Sequence, residues 1–226
     1  MEAYVNVREM RAADAVAATL LRGHRTRNSA WMDAVLAYRA EIAHYDSMPP
    51  MSPEREALLK GINWLNREVY RTAHSFYRGV HDFSQLHRFL SVGEIKNDYS
   101  NGFASFSADA AVALRFASSA GVGRVVFEVD GDLFRARESK PVEYMPRKAE
   151  LAHECEAEFR AEGPVPEWAV TVYTDFNRGE DEAAVKERLR RNYEAANGHV
   201  TQAYASRLEA VRIKPIYGLE REWKYL

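Results

Sequence analysis

Three short pieces of the chain carry residue types that can do chemistry. Tyr77-Arg78-Gly79 sets an arginine at the end of an expected strand and a glycine directly after it. A guanidinium there can fork onto a phosphate, and a residue without Cβ lets a ligand approach the backbone. The same tripeptide also reads as a surface arginine ahead of a turn. Ser105-Phe106-Ser107 puts both hydroxyls on one face of a strand and Phe106 on the other. Ser107 is also suited to cap a following helix, so the pair reads equally as a strand end and a helix start. The third piece is Glu154-Cys155-Glu156-Ala157-Glu158-Phe159-Arg160, ahead of Gly163-Pro164-Val165-Pro166. If it is extended, Glu156 and Glu158 share a face, and like charges so close raise one pKa for proton transfer. If it is helical, as the spacing of Leu151, Cys155 and Phe159 favours, the two acids diverge by about 200° and form a solvated face.

The elements that must position these residues are legible in outline. β-rich runs occupy 75–80, 103–107, 124–130, 168–174 and 206–216. Two helices interrupt them. One follows Ser107 through Asp109, Val112, Phe116 and Ala117 to Gly121. The other opens at Glu180-Asp181-Glu182, aligns Val185, Leu189 and Tyr193, and ends at Asn197-Gly198. Upstream, 8–22 and 28–45 have helical spacing, Met48-Pro49-Pro50-Met51 breaks the pattern, and Ser52-Pro53-Glu54 restarts it ahead of Leu58, Ile62, Leu65 and Val69. The expectation is an α+β protein, with a helical N-terminal lobe over 1–74 and a strand-bearing region over 75–226.

Composition narrows the classes. The 226 residues are 46% hydrophobic and 28% charged, which fits a folded globular chain and excludes a disordered or collagen-like one. A formal charge of -2, from 31 Lys+Arg against 33 Asp+Glu, gives no global bias toward nucleic acid. The single cysteine, Cys155, excludes an intramolecular disulfide and a cysteine-rich zinc site. No apolar run approaches the roughly 20 residues that span a bilayer, and the N-terminus lacks a secretory pattern, so the expected compartment is the cytoplasm. His74, His81, His87 and His153 show no ligand spacing, so no metal is expected.

In this order, the three pieces resemble the Arg–Ser–Glu class of mono-ADP-ribosyltransferases. Phe103-Ala104-Ser105-Phe106-Ser107 with its Ala-rich helix is similar to that family's serine strand and helix. Arg124-Val125-Val126-Phe127-Glu128-Val129-Asp130-Gly131, then Lys140-Pro141-Val142-Glu143-Tyr144, resembles the middle of bacteriophage and bacterial members. The likeness covers about 75–175 and implies an ADP-ribosyltransferase-like split β-sandwich. It implies NAD as co-substrate, with Arg78 on the phosphates and the nicotinamide-side ribose and Gly79 presenting its backbone to the carboxamide. It further implies Ser105 on the ribose, in a binding strand that includes Phe106 and Ser107. Glu158 would stabilise the oxocarbenium-like transition state and Glu156 would serve the acceptor. Phe106 stands where many members have threonine.

A second acidic pair, Glu220-Arg221-Glu222, lies near a C-terminus that resembles the end of a strand. The pair 156/158 is preferred, because the family has at least one strand after its Glu-x-Glu element. The implied partner is a macromolecular acceptor, most of all a host or cellular protein, with nucleic acid also open and no membrane. The alternatives are an inactive nucleotide- or partner-binding module on the same fold, and an NAD glycohydrolase.

Overall fold

The computed structural model describes residues 67, 70–71, 73–93, 95, 104–108, 110–118, 123–136, 139–141, 158–161 and 169–223. The chain divides into two compact units, Met1–His74 with Lys140–Phe159, and Ser75–Ser139 with Arg160–Leu226. In the first unit, Arg67, Tyr70 and Arg71 are helical. The helices expected upstream of them lie outside the described residues.

The second unit is α+β. Its strands are β1 (Ser75–Val80), β2 (Ala104–Ser107), β3 (Val125–Asp130), β6 (Val170–Thr174) and β7 (Arg212–Pro215), and two further strands, β4 (Ser139–Pro141) and β5 (Glu158–Ala161), straddle the boundary between the units. Within this unit the five strands follow the order β2-β1-β3-β6-β7. β1 runs antiparallel to β2, with Tyr77 opposite Ser107, and antiparallel to β3, from Ser75 opposite Asp130 to Val80 opposite Val125. β3 and β6 are antiparallel, with Phe127 opposite Val172, and β7 joins β6 in parallel. The run Val125-Val126-Phe127-Glu128-Val129 suits a central strand buried on both faces, with Glu128 as its polar exception.

Alternation along β1 assigns the faces: Phe76, Arg78 and Val80 to one, Ser75, Tyr77 and Gly79 to the other. On the Arg78 face, Phe76 stacks on Phe134 with ring centroids 4.3 Å apart, Phe106 meets Phe134 edge-on at 5.0 Å, and Phe89 meets Phe127 at 5.6 Å. Phe89 comes from helix α1 (Ser84–Val92) and Phe134 from the short helix α3 (Gly131–Arg135), whose cap Asp130 accepts from the Asp132 and Leu133 N–H groups. On the Tyr77 face lie α2 (Ala110–Ser118) and α6 (Ile216–Trp223), which pack Ala110, Ala113, Ala117, Ile216 and Leu219 against Tyr77, Val126 and Tyr173. Among the described residues no helix is long and apolar enough to cross a membrane.

The glycine in β1 sets how closely α2 approaches. A Cβ built on Gly79 would lie 1.7 Å from the Ala113 carbonyl oxygen and 2.9 Å from the Ala117 nitrogen. Helix backbone therefore rests directly on strand backbone, and no other residue fits there.

Helix α4 (Glu182–Asn197) forms as its sequence indicates. Asp181 caps it by accepting from the Ala184 N–H, and Gly198 closes it with φ +79°. Three expectations change. The run 206–216 is not one strand: α5 (Gln202–Ala210) takes its first half, because Thr201 caps the Tyr204 N–H and Tyr204 and Leu208, four apart, are both buried. Ser107 is a buried strand residue rather than a helix cap, since α2 starts at Ala110. The C-terminal segment is the helix α6, with Ile216 and Leu219 buried at helical spacing, rather than the end of a strand.

Replacing Gly79 tests the close approach directly. Gly79→Ala should lower unfolding stability by about 3 kcal/mol in a denaturant titration, because the atoms it meets are backbone and cannot rotate away. A change within about 0.5 kcal/mol, ordinary for a surface substitution, contradicts it.

Candidate functional site

Arg78 lies in the middle of β1, opposite Phe127 and only 9% exposed. Its Nη2 donates to Gln85 Oε1 at 3.3 Å, so α1 supplies the polar group beside the guanidinium. The seating of α1 has several causes. Gly93 ends it at φ +77°, and Arg207 Nη1 from α5 donates to the Leu90 and Ser91 carbonyls at 3.1 and 2.7 Å. His87 Nδ1 stands 2.9 Å from the Tyr204 hydroxyl, beside the stacked rings of Tyr193 and Tyr204, and Ser91 Oγ donates to the Tyr193 hydroxyl. Burial pushes the His87 pKa below its ordinary value and the Tyr204 pKa well above its own.

Gly79 follows Arg78 with its side-chain position filled by α2, so packing alone demands a glycine there. On β2, Ser107 faces Tyr77 and is 4% exposed, while Phe106 reaches Phe134 on the Arg78 face. Arg78 and Ser107 thus occupy neighbouring strands and point to opposite faces of the sheet. Ser105 is a β2 residue two before Ser107.

Glu158 is the first residue of β5, so the chain is extended over 158–161. Glu156 lies outside the described residues, as does the stretch 162–168 with its prolines. Ser105 and Arg78 lie on the paired strands β2 and β1 of the second unit, and Glu158 belongs to the first unit.

The second acidic pair loses the geometry that made it a candidate. Glu220 and Glu222 are on α6, where residues two apart diverge by about 200° and cannot act as one extended pair. Glu220 is committed to structure. Arg124, at the start of β3, reaches Glu220 with Nη1 at 2.5 Å and Asp175, just past β6, with Nε at 3.1 Å. The hydrogen bonds Arg124 donates, to Asp175 above all and also to Glu220, raise its pKa against the opposing effect of burial.

A further carboxylate, Glu128, escaped the sequence reading as a site residue. It accepts from Ser75 Oγ at 2.7 Å, the Tyr77 hydroxyl at 3.3 Å and the Tyr173 hydroxyl at 2.7 Å. The available signal was one acid inside an otherwise apolar central strand, with hydroxyl-bearing residues on the flanking runs. Among the described residues no group of three or more His, Cys, Asp or Glu is arranged to hold a metal ion.

Compared with protein-family models, curated proteins and solved structures, the chain finds no match.

The His87 seat gives a pH dependence with a definite sign. The unfolded state, with a histidine pKa near 6.5, binds a proton more readily than the folded state, whose pKa is depressed. Stability from this group is therefore complete above 6.5 and falls as the pH drops through 6.5 toward the depressed value. Unfolding free energies measured between about pH 5 and 7 should fall less steeply with acidification in His87→Gln than in the parent chain. Parallel curves contradict this.

Proposed function

We propose that the chain is an NAD-dependent mono-ADP-ribosyltransferase, moving ADP-ribose to a macromolecular acceptor with release of nicotinamide, on an ADP-ribosyltransferase-like split β-sandwich. The observation that carries the reading is that β1 and β2 pair in the sheet of the second unit and bear Arg78 and Ser105. Glu158, in the first unit, opens a strand of its own, which supports the extended form of the acidic segment.

The roles are those the resemblance implies, and the charges suit them. Arg78 offers a planar fork to the NAD phosphates, in trade for its contact with Gln85. Loss of nicotinamide leaves positive charge on the ribose, and Glu158 stabilises that charge more in the transition state than in the ground state. Ser105 orients the ribose. Glu156 accepts a proton from the attacking group and aligns it, which a nitrogen nucleophile needs more than water does. No step of this chemistry calls for a metal. The acceptor proposed is a cellular protein, met in the cytoplasm.

One observation favours a second reading. Arg78 is largely buried, bonded to Gln85, and on the face opposite Ser107. A fold kept for binding a nucleotide or a partner protein, without transfer, tolerates that arrangement.

Incubating the chain with labelled NAD and cell lysate separates the readings. Label on macromolecules supports transfer; free ADP-ribose alone supports NAD hydrolysis; neither product supports the binding module. For a transferase, Glu158→Gln should lower labelling by about 100- to 1,000-fold while the circular dichroism spectrum is kept. Glu156→Gln should stop labelling but leave slow NAD hydrolysis. Full activity in Glu158→Gln removes Glu158 from the site, and equal loss of both activities in Glu156→Gln assigns that residue to NAD binding instead.

A further inference from the structure

Among the described strands, β7 ends the sheet: it pairs with β6 and lies last in the order. An edge of that kind offers unpaired N–H and C=O groups to any extended chain, so each of its donors must be accounted for. Residues 211, 213 and 215 present their backbone groups to one side, and 212 and 214 to the other. The Ile213 N–H meets a side chain, Glu182 Oε1, at 3.0 Å, so its side is the one away from β6. Just ahead of the strand, Val211 spends its N–H on the Arg207 carbonyl at 2.9 Å. Pro215 has no N–H to offer. Ile213 therefore carries the one edge donor that a partner strand could use, and Glu182 occupies it.

Glu182 is held in that position. It is the first residue of α4, directly after the cap Asp181. Lys186, one turn on, brings Nζ to 3.2 Å from the same Oε1 and donates to the Glu209 carbonyl of α5 at 2.9 Å. The lysine thus pins the carboxylate between α4 and the end of α5. The rest of β7 agrees with a guarded edge. The strand has four residues, and its exposed Arg212 and Lys214 would set like charges against those of a second copy.

We infer that Glu182 closes the β7 edge to strand addition by a second copy of this chain. The pairing it prevents is two-fold: Ile213 of each copy would stand opposite the other and exchange both N–H···O=C bonds. The contact lies wholly within the second unit and does not depend on the NAD reading.

The test compares the full chain with Glu182→Ala at about 0.5 M salt, which screens the Arg212 and Lys214 repulsion. At low protein concentration, the Ile213 amide should exchange at least about tenfold faster in Glu182→Ala, the loss of one hydrogen bond to a charged acceptor. In sedimentation equilibrium, Glu182→Ala should self-associate at least about tenfold more tightly than the parent chain, with Ile213 exchange slowing again as concentration rises. Glu182→Gln, which keeps an acceptor oxygen, should associate as the parent does. Equal Ile213 exchange in Glu182→Ala and the parent, equal association, or association that leaves the Ile213 amide unprotected overturns the inference. So does Glu182→Gln that associates like Glu182→Ala, since charge alone would then be at work. If Glu182→Ala does not fold, Lys186→Met unpins the carboxylate without removing it and gives the same comparison: faster Ile213 exchange with tighter association is expected, and no change in either overturns the inference.

Discussion

The second unit is organised around one contact: helix α2 lying on strand β1 at Gly79 with no side chain between them. The carbonyl of Ala113 occupies the volume a Cβ would need. Because that contact fixes which face of β1 meets α2, the alternation of the strand then fixes everything beside it. Tyr77 goes to the α2 face, next to Ser107 and Glu128, and Arg78 to the face of α1, next to Phe127 and Gln85. A slip of one residue would put Arg78 under α2 and Tyr77 among the aromatic rings of the other face, so the register is strongly specified.

The two faces are then held by different means. On the Arg78 side the aromatic contacts of Phe76, Phe106, Phe89, Phe127 and Phe134 supply area and shape. On the Tyr77 side small alanines allow close approach, and Glu128 satisfies the hydroxyls of Tyr77 and Tyr173, which are 9% and 7% exposed. Without that carboxylate, each of these hydroxyls would lose a hydrogen bond to a charged acceptor, at about 1.5–3 kcal/mol. The Arg124 cluster does lesser work: it ties α6 to the ends of β3 and β6, and as a partly exposed ion pair contributes about 1 kcal/mol or less.

What the sequence disclosed follows local chemistry. β1 and β3 were legible from their β-branched and aromatic runs, and α4 from Asp181 and Gly198 at its ends. α5 and α6 were read as strand because Val211, Ile213 and Ile216 suggest β structure, and the Thr201 cap and the burial of Tyr204, Leu208 and Leu219 only count once α1 and α2 are present to cover them. α1 was missed for a similar reason: Leu86, Phe89 and Leu90 make a short apolar stripe whose partners, Arg207 and Tyr204, lie more than a hundred residues on. Among the site candidates, Arg78 and Ser105 fall on the expected strands, while for Glu158 the pattern left extended and helical forms equally open and only the structure makes 158–161 a strand. The face on which Arg78 lies could not be known without the register, and neither could the convergence of Ser75, Tyr77 and Tyr173 on Glu128, which is a property of three paired strands.

The central claim is that β1 and β2, which bear Arg78 and Ser105, receive NAD. Hydrogen exchange of the chain with and without NAD tests it most directly. The account predicts slower exchange on NAD addition at 75–80 and 104–107, with α4 unchanged. Exchange that NAD leaves untouched across both strands, or protection confined to 182–210, would contradict it.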